Sequence, residues 1–138
     1  MKNWLSRVLP IMMVIAMILG LVTGCSNETQ SNEPVTVTDQ TGASVIIPAD
    51  VERVVSVYPM ASLIVYSLKG QGKLVGIDSN TPKNTVMKEA YPAIDNTTQV
   101  GMPWSVNVET VVSLDPDVVL GASGDVRKSL EAAGLAVV

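Results

Sequence analysis

From Arg53 onward, short β-branched runs alternate with stretches of helical spacing, each closed by glycine or proline, and few folds accept that order. Arg53-Val54-Val55-Ser56-Val57 is nearly continuous in apolar character, as expected of a strand covered on both faces. Tyr58-Pro59 interrupts it. Residues 61–69 then read as a helix, with Leu63, Ile64, Val65 and Leu68 toward a core and Gly70 as the stop. A strand at 74–77 and a turn-rich connection at 78–82 follow, then a short helix at 86–91 and a strand at 98–100. Asn107 can cap a helix running to Leu114, with Val108, Val111, Val112 and Leu114 on or near its buried side. Asp115-Pro116-Asp117 turns the chain into a strand at 118–120, and Asp125 caps a helix to Ala133 that Gly134 ends. Residues 135–138 open a last strand. This alternation predicts an α/β fold, a mostly parallel sheet with helices on both faces. Ahead of it, β-branched runs at 35–38 and 43–47 flank Asp39-Gln40-Thr41-Gly42, which predicts a β-hairpin.

The N-terminus carries a different message. Lys2 and Arg7 precede an uncharged apolar run from Val8 to Val22, and small residues lead into Cys25. The run is about 15 residues, short of the roughly 20 that a spanning helix needs. Basic start, apolar middle and small-residue cleavage site make a secretory signal over residues 1–24. A cysteine placed directly after it resembles the lipobox of bacterial lipoproteins, which implies that Cys25 is acylated and becomes the first mature residue. The expected location is the extracytoplasmic side of the cell membrane, held by lipid. Residues 25–34 are polar and read as a flexible tether.

Composition removes whole classes of function. The formal net charge is −4, and loss of Lys2 and Arg7 makes the mature chain two units more negative. No basic run offsets this, so nucleic acid is a poor partner. The chain has one cysteine and no histidine. Disulfide frameworks, histidine-based zinc sites and histidine-assisted nucleophiles are therefore excluded. Asp115 and Asp117 flank Pro116 and fit a turn and strand start better than a carboxylate pair. No enzyme and no cofactor is expected.

The region from 35 to 138 resembles the N-terminal lobe of substrate-binding lipoproteins for ferric-siderophore, heme and cobalamin ABC importers. The resemblance rests on D-x-x-G at Asp39 to Gly42, on Pro48 and Arg53-Val54-Val55-Ser56, and on L-x-G-x-x-x-L-V-G-I from Leu68 to Ile77. It continues through Val100-Gly101 and the N-V-E-x-V-x-x-L-x-P-D-V-V block from Asn107 to Val119. It implies one lobe of a two-lobed periplasmic-binding-protein clamshell, closing on a metal complex and delivering it to an ABC permease. The family's connecting helix and second lobe are not encoded in these 138 residues. An alternative is therefore a truncated, lipid-anchored half-receptor that acts only in protein–protein interaction or without transport.

Ligands of open α/β sheets sit beyond the carboxyl ends of the strands. Four loops qualify: Tyr58-Pro59-Met60, Asp78-Ser79-Asn80, Met102-Pro103-Trp104 and Gly121-Ala122-Ser123. Trp104 is the leading candidate, an aromatic plate for a corrin, porphyrin or catecholate; cobalamin-binding relatives have a tryptophan at the matching place. Packing on the domain is its alternative. Tyr58 offers a hydroxyl or a stacking face, or buries its ring against the first helix. Met60 belongs to the same candidate set but fits core better than ligand contact. Ser123 lies in a small-residue loop that could cradle an anion with backbone N–H groups or simply turn. Glu109 is, by resemblance, the carboxylate that docks with permease arginines; in the first turn of a helix it also suits the helix dipole. Arg127-Lys128 reads as a solvated face.

Overall fold

Residues 33–138 are described by a computed structural model, so the leader at 1–24 and the tether up to residue 32 lie outside the described residues. Two strands, β1 (Val35–Thr38) and β2 (Ser44–Ile47), pair antiparallel around the Asp39–Gly42 turn as the expected hairpin. The chain then lays down β3 (Val54–Ser56), α1 (Pro59–Ser67), β4 (Leu74–Ile77), α2 (Thr85–Ala90) and β5 (Thr98–Gln99). A two-stranded hairpin follows, β6 (Gly101–Met102) and β7 (Ser105–Val106). The last elements are α3 (Val108–Ser113), β8 (Val118–Leu120) and α4 (Gly124–Ala132).

The main sheet is parallel, in the order β5-β4-β3-β8. Val137 adds a bridge to Val119, whose N–H donates to the Ala136 carbonyl at 2.8 Å and whose carbonyl accepts the Val138 N–H at 2.9 Å, so residues 135–138 do begin a further strand. Side chains alternate across the sheet. Val55, Val57, Val119 and Val137 join Val111 of α3 and Leu130 of α4 in one core. Val54, Leu74, Ile77 and Val118 join Tyr66 of α1 and Met87 of α2 in the other. Helices thus cover both faces. Gly76 makes one of these contacts possible, because a Cβ there would lie 2.7 Å from Leu114 Cδ1.

Capping follows the expected chemistry at two helices. Asn84 Oδ1 accepts the N–H groups of Val86 and Met87, and Asn107 Oδ1 accepts that of Thr110 at 3.0 Å. Asp117 has the turn role too: its carboxylate accepts the N–H groups of Arg53 and Glu52, each at 2.8 Å, which holds its pKa below the ordinary value. Arg53 in turn donates to the Leu114 and Asp115 carbonyls.

Three expectations are corrected. Helix α1 is rotated from its expected phase: Ser62 and Tyr66 are buried, while Leu63, Ile64 and Leu68 are exposed, Leu68 by 77%. The reason is that Tyr66 stacks on Tyr91 at 4.6 Å between centroids, and Ser62 meets polar groups under the helix. Helix α4 begins at Gly124, with Ser123 as the N-cap and Asp125 already in the first turn. Arg127 is no solvated side chain. Its guanidinium pairs with Asp39, which is 4% exposed, as well as with Glu131, and donates to the Val137 carbonyl at 3.3 Å.

This pair attaches the hairpin to the sheet domain across 88 residues of sequence. Asp39 also accepts the Thr41 hydroxyl at 2.6 Å and the N–H groups of Thr41 and Ala43. Together Thr41 and Arg127 hold its carboxyl far below the usual carboxylate range. A depressed folded-state value stabilises the fold above the unfolded value near 3.9, and that contribution disappears as pH falls beneath it. The urea midpoint of the wild type is expected to fall progressively below about pH 4. Asp39→Asn should start lower at pH 6 and fall less steeply; an identical acid profile for both proteins would remove Asp39 from the account.

Candidate functional site

The strand order changes direction beside β3. Strands β4 and β5 lie on one side of it, and the chain then returns through α3 to place β8 on the other. Loops leaving neighbouring strands at such a switch point diverge to opposite faces and leave a crevice at their carboxyl ends. Here those loops begin with Val57-Tyr58 after β3 and Gly121 after β8, linked by a hydrogen bond from Val57 N–H to the Leu120 carbonyl at 3.0 Å.

A cavity of about 410 Å³ occupies that crevice. Tyr58, Ser123 and Gly124 line it from the sheet side, and Asp39, Thr41 and Arg127 from the hairpin and α4. A second, more apolar hollow of about 510 Å³ shares Tyr58, Gly121 and Val138 with it and adds Met60, Ile64 and Leu120. Tyr58 lines both, and the residue is 50% exposed rather than buried against α1. Met60 is 55% exposed, which corrects the expectation that it belongs to the core. A third hollow of about 280 Å³ lies on its other flank, among Pro59, Leu63, Asn80 and Thr81.

Gly121 is what allows this closeness. Its φ of +80° suits glycine, and a Cβ there would sit 2.7 Å from Tyr58 Cβ, an atom fixed to the backbone. Ser123 is the N-cap of α4 but makes no side-chain capping bond, and it lines the cavity. Asp78, by contrast, is fully buried and serves the interior.

Trp104 sits elsewhere on the same end of the sheet. It occupies the turn of the β6–β7 hairpin, a feature the sequence pattern did not predict, and is 72% exposed. The hairpin follows β5 and is fastened to the loop after β4 by a bond from Ser79 N–H to the Gly101 carbonyl at 2.8 Å. Three inter-strand spacings separate β5 from β8, about 14 Å. The carboxyl edge thus offers a tyrosine and a serine together at the switch point and a tryptophan at the far edge. Glu109 is exposed in the first turn of α3, the helix that follows the β6–β7 hairpin. Arg127 is the wall residue that sequence reasoning missed; the D-x-x-G turn gave the only signal, an acid in need of a partner.

Gly121→Ala introduces both left-handed strain and the clash with Tyr58. It is expected to destabilise the protein by about 2–4 kcal/mol in urea unfolding, more than an exposed Gly→Ala change such as Gly72→Ala. Equal effects at the two positions would contradict the close approach.

The chain is similar to several known proteins. An uncharacterized ABC transporter substrate-binding lipoprotein of Bacillus subtilis, YvrC, is 32% identical over 134 aligned residues, covering 85% of this chain and 40% of YvrC. A cobalamin-binding protein of Halobacterium salinarum is 33% identical over 110 residues, covering 75% of this chain and 28% of that protein. Among solved structures, the molybdate periplasmic binding protein MolA of Haemophilus influenzae, bound to molybdate, superposes with a TM-score of 0.71 at 28% identity, over 75% of this chain and 33% of MolA. The chain therefore spans less than half the length of these relatives. Residues 54–135, from the first residue of β3 to the segment that bridges β8, match the Periplasmic binding protein family, and the chain belongs to it.

Proposed function

We propose that the chain is the N-terminal lobe of an extracytoplasmic solute-binding lipoprotein for an ABC importer, and that its ligand is a metal-centred complex: cobalamin, heme or a ferric siderophore. The observation that carries this reading is the switch-point cavity walled by Tyr58 and Ser123, with Trp104 exposed on the same end of the sheet. Large flat ligands gain from aromatic faces, and a tryptophan that is 72% exposed has apolar area to bury. The likeness to a cobalamin-binding protein supports the tetrapyrrole side of the choice.

Calorimetric titration of the purified protein with cyanocobalamin, hemin, a ferric siderophore and molybdate tests this directly. Saturable binding to one of the first three is expected, weakened about tenfold by Trp104→Ala, which corresponds to about 1.4 kcal/mol. Saturation by molybdate alone, or by none of the four, would contradict the ligand class.

The remaining roles are proposals of the same reading. Cys25 carries the lipid anchor, so Cys25→Ser should move the protein from the membrane to the soluble extracytoplasmic fraction. An unchanged distribution would refute the anchor. Glu109 contacts the permease; Glu109→Lys should lower uptake several-fold at unchanged ligand affinity, because exposed rim charges steer docking more than they bind. Uptake at the wild-type rate would remove Glu109 from the docking surface.

A further inference from the structure

Beneath the loop that carries Tyr58 lies a row of fully buried polar side chains. Ser56 ends β3 facing α1, Ser62 meets it from the first turns of α1, and Asp78 follows β4. Ser62 Oγ lies 2.8 Å from Ser56 Oγ and 3.4 Å from Asp78 Oδ2. Ser56 Oγ donates to the Tyr58 carbonyl at 3.1 Å, and that carbonyl also accepts the Ser62 N–H at 3.1 Å. Proton counting orders the row: Ser56 spends its proton on Tyr58 and accepts from Ser62, whose one proton is shared between Ser56 Oγ and, at the longer distance, Asp78 Oδ2. Asp78 anchors the other end. Its Oδ1 accepts the N–H groups of Asn80 at 2.8 Å and Thr81 at 3.0 Å, and Oδ2 accepts the Thr81 hydroxyl.

The row joins two loops on the carboxyl edge, Tyr58-Pro59-Met60 and Asn80-Thr81, whose side chains share the hollow beside Met60. It sits where an apolar core would be the simpler choice. A fully buried Leu side chain contributes about 1.5–3 kcal/mol, yet α1 turns Ser62 inward and leaves Ile64 and Leu68 exposed. Buried polar groups that are fully satisfied hold their neighbours in one arrangement, and each member here has a partner.

We propose that Ser56, Ser62 and Asp78 are positioning residues for the ligand site, setting the Tyr58 loop against the Asn80–Thr81 turn. This rests on reading that end of the sheet as the ligand site, so the test has one arm that needs no ligand. In the full chain, Ser62→Ala and Ser56→Ala are compared with wild type by amide hydrogen exchange and by cyanocobalamin titration. The expected result is exchange about tenfold faster at the Ser62 amide, with the Val55 amide unchanged and the thermal midpoint within a few degrees. Cyanocobalamin affinity should fall about five- to tenfold. Unchanged exchange at Ser62 would overturn the proposal. So would a lowered midpoint with uniformly faster exchange and unaltered affinity, the signature of a residue that only stabilises. If wild type fails to bind cyanocobalamin, that failure bears on the ligand, and the Ser62 exchange result alone decides the positioning row.

Discussion

Strand β3 is paired on both edges and covered on both faces, and the remaining elements take their places from it. Val54 faces the core under α1 and α2, Val55 the core under α3 and α4, and Ser56 returns to the α1 side. With β4 on one edge and β8 on the other, all parallel, the chain after β3 and the chain after β8 must leave in the same direction and part to opposite faces. The crevice at Tyr58 and Ser123 is the direct result. A strand of three residues can carry this only because its neighbours yield space: Gly76 admits Leu114 against Val55, and Gly121 admits Tyr58.

Electrostatics closes the crevice on its open flank. The hairpin forms no ladder with the main sheet, and Asp39 links it to the lobe through Arg127. Because Asp39 is pinned by its own turn through Thr41 and Ala43, the ion pair joins two rigid pieces and loses little side-chain freedom. The same residues line the cavity, so the contact that attaches the hairpin also shapes the proposed ligand wall.

Much of the fold was legible because the signals were local. Asn84 and Asn107 bind the N–H groups that a cap should bind, and runs such as Leu74–Ile77 and Val118–Leu120 become strands over the expected residues. The positions of Tyr58 and Ser123 at the carboxyl edge were also legible, since both follow strands there. What escaped was set by distant partners. The phase of α1 could not be read from a segment apolar on nearly every side; Tyr91 and the buried serines decide it. Arg127 next to Lys128 looks like any solvated pair until the hairpin brings Asp39 beside it. The β6–β7 hairpin, at two residues per strand, is too short to show a period, so Trp104 was placed on a loop without its support.

The most direct test of a ligand site at the switch point is residue-resolved NMR shift mapping during titration with cyanocobalamin and hemin in turn. The account predicts saturable shifts at Tyr58, Gly121, Ser123 and the Trp104 indole for the ligand that binds, with the β1–β2 strands and the outer face of α2 unmoved. Saturable shifts confined to other surfaces, with Tyr58 and Ser123 silent, would contradict it.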